Sequence, residues 1–257
     1  MIVYGTDDAW AQIRLAPALM DALDVEALQF ALEPAYWMLD RAASDAAIKL
    51  APSGRLGRKI VLDGEERFRF TELDRIGHKP QNQDDVPPLP ALRELLTRTR
   101  LVRAYKGKLV ATRIGRATLA RAGDASADRQ LLIDLAKQLC PDPEPNFMQE
   151  LTMLVIVHLL DDATPKPARY SRLMATIGEI ASQRWKLERR GGGQFARWDI
   201  AWEFSDAVAR LMALRALVER NRDGQRADGR ILQLVEPVGV AVAAQAMHAR
   251  ATLNTVR

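Results

Sequence analysis

Few residues of this chain have the type and spacing needed for reaction chemistry. The three histidines, His78, His158 and His248, lie far apart, and Cys140 is the single cysteine. His158 with Asp161 and Asp162 at i+3 and i+4 shares one face of a helix, the spacing of a possible metal site. A histidine inside an apolar helix is more often a satisfied core residue, so no metal is expected. No Ser or Cys sits in a nucleophile elbow or beside a histidine, and no pair of carboxylates stands out from solvated helix faces. Gly54-Arg55-Leu56-Gly57 is not followed by the Gly-Lys-Ser/Thr of a phosphate-binding loop. The expectation is a protein that is not an enzyme and carries no cofactor. A lone cysteine excludes an internal disulfide and fits a reducing cytoplasm. No basic segment followed by an apolar run opens the sequence, and Leu151 to Leu160, the longest apolar run, is too short for a bilayer. The expected location is cytoplasmic, with no membrane partner.

The residues that do form a pattern are cations. Between Arg93 and Arg116 the chain carries eight Lys/Arg against one Glu: Arg93, Arg98, Arg100, Arg103, Lys106, Lys108, Arg113 and Arg116. The net charge of +4 conceals an alternation, with −5 over residues 1–50, +7 over 51–120, −5 over 121–165 and +7 over 166–257. Clustered positive charge is the electrostatic footprint of a nucleic-acid binder. Arg-rich surfaces also accompany high-GC coding, so charge by itself weighs both readings about equally.

Three elements must position those cations. Leu89, Leu92, Leu96 and Thr99 fall on one face of a helix over Pro88–Thr99, widened by Leu95, with Arg93, Thr97 and Arg100 roughly opposite. Leu101–Tyr105 and Lys108–Thr112 alternate as paired strands around a Lys106-Gly107 turn. Thr112 then stands where a helix N-cap belongs. Helix, hairpin, helix is the order of a winged helix.

Upstream, Asp7 or Asp8 caps a first helix, Pro17 opens a second, and Asp24 opens a third that Pro34 is expected to break or kink. Trp10, Tyr36 and Trp37 read as packing aromatics. Short helices are expected at Leu56–Leu62 and Thr71–Ile76, followed by a loop over His78–Asp85. Downstream, helices are expected over Arg129–Leu139 and Phe147–Leu160, with a linker at Asp161–Pro167.

The last block repeats the order. A helix over Trp198–Arg215 leads to strands near Leu217–Arg222 and Ile231–Val235, then to a final helix opened by Pro237. Leu101-Val102-Arg103 matches Leu217-Val218-Glu219, and Thr112-Arg113-Ile114-Gly115 matches Glu236-Pro237-Val238-Gly239. The predicted fold is therefore mainly α with small β-hairpins (α+β), as tandem winged-helix modules with helical linking segments. The expected division is an acidic helical segment at 1–52, a first module at 53–122, a helical connector at 123–165 and a second module at 166–257.

On these residues the chain resembles winged-helix (helix-turn-helix) regulators, whose wing ends with an apolar residue, Thr, two variable residues and Gly, as in Ala111-Thr112-Arg113-Ile114-Gly115. Val235-Glu236-Pro237-Val238-Gly239 departs from that pattern by Glu for Thr. Asn82–Pro87, the Arg100-Leu-Val-Arg103…Lys106-Gly-Lys-Leu109 wing and the Trp198…Trp202…Leu211…Leu217-Val-Glu219 series resemble a group of actinobacterial proteins found with plasmid- or transposon-borne open reading frames. The likeness covers roughly residues 50–250 and implies a role in transcription or mobile-element biology, with no established reaction.

The expected function is binding of double-stranded DNA, in transcription regulation, through the first module. The helix before the wing would enter the major groove. Arg93, Arg98, Arg100 and Arg103 would lie on DNA, while Lys106, Lys108, Arg113 and Arg116 would meet phosphates or an adjacent groove. In the second module Asp199, Glu203 and Asp206 would repel phosphates, and Trp198 and Trp202 suit packing or a homodimer contact. The alternative is a structural or dimerising winged-helix protein that binds no nucleic acid.

Overall fold

The structure, a computed structural model, describes residues 7–71, 78–140, 147–161, 168–169, 175–176, 179, 205–221, 230–235 and 237–255. It is mainly helical with two small antiparallel sheets, an α+β chain. Among the described residues no helix is long and apolar enough to cross a membrane.

Helices α1 (Asp7–Arg14) and α2 (Ala16–Asp21) lead into α3 (Val25–Ala43). Asp24 caps α3 by accepting the Ala27 N–H at 2.8 Å. Of the break or kink expected at Pro34, the break does not occur, and α3 runs through it as one helix. An interior proline costs about 3 kcal/mol or more. Leu28, Ala31 and Leu32 before it, and Ala35, Met38 and Leu39 after it, are all buried. Each large side chain buried contributes about 2 kcal/mol, so one continuous packed face offsets the proline.

Strand β1 (Ile48–Lys49) precedes α4 (Arg58–Phe68). Helix α4 starts near the expected place but extends past Leu62, because Phe68 is buried with its ring 5.3 Å from Trp37, edge to face. That contact is invisible to local periodicity. The helix expected at 71–76 lies almost wholly outside the described residues; Thr71 itself gives its N–H to Glu65 at 2.9 Å. A single 3-10 turn at Gln83–Asp85, capped by Asn82, then leads to α5 (Pro88–Arg98). Leu89, Leu92, Leu95 and Leu96 are buried, as their spacing predicts.

Strands β2 (Val102–Tyr105) and β3 (Lys108–Ala111) form the expected hairpin, followed by α6 (Arg113–Leu119) and α7 (Ala125–Lys137). The sheet order is β1-β3-β2, all antiparallel. This sheet takes its third strand from residues 48–49, on the far side of the expected boundary at residue 53. A two-residue strand has no periodicity to read, and only its pairing reveals it.

The later elements are α8 (Phe147–Asp161), β4 (Ala168–Arg169), a helix over residues 205–213 (α9), β5 (Leu217–Asn221), β6 (Arg230–Leu234) and α10 (Val238–Thr255). The second sheet has the order β4-β6-β5, again antiparallel. It thus repeats the strand order of the first. The Gly191–Gly193 segment and the second wing tip lie outside the described residues.

Helix α10 packs on α1, α2, α7 and α8, and α3 packs on α5, α6 and α7. The buried side chains form one hydrophobic cluster running from Ala9 to Met247. The N-terminal helices are thus integral to the core.

Candidate nucleic-acid interface

The hairpin is set by its turn. Lys106 and Gly107 both have left-handed backbone, at φ 48° and 71°. Two consecutive left-handed residues make the tight turn whose twist matches that of paired strands. Tyr105 pairs with Lys108, Arg103 with Val110 and Val102 with Ala111. Behind the turn, the Leu50 N–H donates to the Gly107 carbonyl at 2.9 Å, tying the tip to the strand β1 side.

Alternation along these strands sorts side chains by face. Ile48, Val102, Leu109 and Ala111 are buried on the core side. Arg103, Tyr105, Lys108 and Val110 fall on the other, and Lys49 joins them because it pairs with Lys108. Lys49, Arg103, Tyr105 and Lys108 are all exposed. The Tyr105 ring has the Arg103 guanidinium and the Lys106 ammonium each 5.3 Å from its centroid. The three strands contain no acidic residue. An open hollow of about 520 Å³ beside β1 brings Arg58 and Lys59 near Lys49, along with Asp63, which is paired with Arg41.

Helix α6 begins immediately after the wing. Thr112 caps it by accepting the Gly115 N–H at 3.0 Å and anchors itself by donating to the Arg100 carbonyl at 2.7 Å. Arg100, two residues past the end of α5, is left-handed, φ 59°, and exposed. Arg113 and Arg116 are exposed on α6, and Ile114 between them is 56% exposed.

The structure divides the eight expected contact residues. Arg100, Arg103, Lys106, Lys108, Arg113 and Arg116 are exposed and make no ion pair among the described residues. Arg93, expected on an outward basic face, instead turns to the 51–57 loop. Its Nη1 donates to the Gly54 carbonyl at 2.6 Å, and burial lowers the pKa of its guanidinium. Arg98 is held by Glu94 at 2.5 Å and reaches the Gln138 carbonyl at 3.5 Å.

Glu94 is shared. Its other oxygen lies 3.5 Å from Arg210 of α9, which also pairs with Asp206 at 2.7 Å. Burial raises the pKa of Asp206, opposed by the Arg210 charge. Just beyond α9, Arg215 stacks over Phe30 at 4.6 Å and Phe68 at 5.2 Å, and bonds Glu33 at 2.7 Å. Glu94, in the middle of α5, is therefore tied to the second half of the chain while its side chain stays 39% exposed.

The metal candidate cannot be assembled from the described residues, since Asp162 lies outside them. His158 places Nδ1 2.9 Å from the Leu154 carbonyl, so that nitrogen carries the proton and donates. Among the described residues no three His, Cys, Asp or Glu come together to hold a metal.

Residues 30–124 match the family described as the Y4jL N-terminal domain. The match runs from within α3 to the Asp124 cap of α7, and so contains β1, α4, α5, the wing and α6. It covers less than half of the chain. No curated protein and no solved structure matches.

Sequence reasoning missed Lys49 and gave Tyr105 no role. The signal for Lys49 was faint: Ile48-Lys49-Leu50 alternates, but three residues set no period. Tyr105 needed the register, which puts it on the cationic face.

Proposed function

We propose that the chain is a DNA-binding, transcription-regulatory protein of the cytoplasm, built as tandem winged helices, that contacts duplex DNA through the first of them. Two features support the winged-helix reading. The order α3-β1-α4-α5-β2-β3, with sheet order β1-β3-β2, has the strand, helices and hairpin in winged-helix sequence. The second sheet repeats that strand order. The DNA reading is carried by one observation, the group of exposed cations from Arg100 to Arg116, on the wing and its flanks, that make no ion pair among the described residues.

The division of labour differs from the simplest expectation for such a module. Arg93 is a structural anchor, and Glu94 is occupied by Arg210. Contact falls instead to Arg100 just past α5, the wing and the start of α6. Such contacts are mostly to phosphates, which position the protein and make affinity salt-dependent.

Titration of a labelled duplex by fluorescence anisotropy at several salt concentrations tests this. Neutralising one phosphate-binding cation should flatten the log–log salt slope by about 0.9. The double variant K106Q/K108Q should flatten it by roughly twice that. No binding of the wild type to any duplex at low salt would end the proposal.

A second reading, an interaction module without nucleic acid, draws on the same α5–α9 contact. A helix whose central Glu94 is already engaged by its own chain suits assembly as well as recognition. Light scattering behind size exclusion, with and without nuclease, separates the two: a nuclease-independent oligomer that ignores duplex DNA favours assembly.

A further inference from the structure

We propose that the outer face of the first sheet is a stacking platform for an unpaired base, so that the protein prefers DNA containing a single-stranded stretch over the closed duplex. This rests on the reading of the first unit as a DNA-binding module and specifies which form of DNA it takes.

The platform is built from all three strands. Lys49, Lys108 and Tyr105 lie side by side across β1, β3 and β2, because Lys49 pairs with Lys108 and Lys108 with Tyr105. Arg103 stands two residues before Tyr105 on the same face, and Lys106 approaches the ring from the turn. Tyr105 is 50% exposed, although tyrosine commonly buries its ring. Its position is constrained by the two-residue turn, the strand register and two cations near the ring. Little ordering remains to be done when a ligand arrives.

The chemistry of this face selects its occupant. Arg103 and Lys106 stand over the Tyr105 ring, Lys108 and Lys49 continue the cationic row across β3 and β1, and no carboxylate lies on the three strands. A polyanion that also offers π-faces satisfies both halves, and nucleic acid is such a polymer. In a closed duplex the base faces are stacked on one another, so only edges and phosphates reach a protein surface. The cations would engage such a duplex while the phenol ring gained little. An unpaired base supplies the missing face, and aromatic side chains on a basic surface are how single strands are held. Tyr105 also lies on the flat of the sheet. The projecting turn is Lys106-Gly107, so the ring is placed as a platform and not as a wedge at the tip.

The test compares a labelled closed duplex with the same duplex carrying a central mismatched bubble, by anisotropy, for the wild type, Y105F, Y105A and K106Q/K108Q. The wild type should bind the bubble about fivefold or more tightly, the range expected for one stacked base. Y105F should keep that preference, because the ring and not the hydroxyl stacks. Y105A should lose it, so that the two substrates bind with equal affinity, and leave the salt slope unchanged. K106Q/K108Q should weaken both substrates and flatten the slope. Equal wild-type affinity for the two substrates, or a preference retained in Y105A, overturns the platform and leaves duplex binding standing. Failure of the wild type to bind either substrate overturns both proposals.

Discussion

Asp128 has no solvent exposure, and its carboxylate is satisfied by two other parts of the chain. It accepts the Tyr36 hydroxyl from α3 and the Gly123 N–H, at 3.2 Å, from the turn before α7. Gly123 is left-handed, φ 91°, which allows the turn to present that N–H. Burial, and then Asp128, raise the Tyr36 pKa above its ordinary 10.0. The native state thus holds this proton to higher pH than the unfolded chain does. The stabilisation is fully present below pH 10.0 and is lost as pH rises through the raised native value. Y36F should leave the buried carboxylate one donor short and cost about 2 kcal/mol in urea unfolding at neutral pH. It should also flatten the alkaline loss of stability. An unchanged midpoint at neutral pH would show that the hydroxyl contributes nothing net. Tyr36 was legible as a packing aromatic, but its partner 92 residues away was not.

The passage from helix to strand is built alike in both halves. The Leu101 N–H bonds the Leu96 carbonyl at 2.9 Å, and the Ala216 N–H bonds the Leu211 carbonyl at 3.0 Å. Arg100 and Arg215, each just before, are both left-handed. The returning strand closes on the same residues, from the Thr112 N–H to the Leu101 carbonyl at 2.9 Å and from the Val235 N–H to the Ala216 carbonyl at 3.0 Å. Hydrogen bonding therefore equates Leu101 with Ala216, one residue away from the Leu-Val match read in the sequence. Side-chain identity suggested that match, whereas the left-handed arginine sets the real register. The glycines that follow are required by close approach. A Cβ on Gly115 would lie 2.1 Å from the Leu101 oxygen, and one on Gly239 2.2 Å from the Ala216 oxygen. Neither backbone oxygen can swing aside as a side chain could. G115A and G239A should each cost about 3 kcal/mol, at the upper end for overpacking, measured by urea unfolding. A loss below about 1 kcal/mol would mean that the helix can shift without penalty.

Across the whole molecule, the ion pairs of α5 with α9 add to the packing of α10 on α1, α2 and α7 in joining the two halves. Arg210 is 13% exposed at its side chain, bridges Asp206 and Glu94, and leaves its Nε without a hydrogen-bond partner among the described residues. Removing it would leave the partly buried Asp206 with less opposing charge. R210M should cost about 2 kcal/mol, discounted from a fully buried pair because both carboxylates keep some solvent. A variant as stable as the wild type would show that apolar packing alone joins the halves.

Local rules were enough to read the Asp24 and Thr112 caps, the Lys106-Gly107 turn, the leucine face of α5 and the cationic wing. Each depends on residues within about one helical turn or one hairpin, where backbone geometry and side-chain period decide. The sequence by itself therefore determined the helices, the first hairpin and where positive charge gathers. Tertiary structure alone decided that α3 runs through Pro34, that Lys49 adds a strand and a charge to the wing, and that Arg93 turns inward. It also decided that Arg210 reaches Glu94 in the middle of α5. Those outcomes rest on packing and charge between segments distant in the chain, and no local period encodes which distant residue arrives.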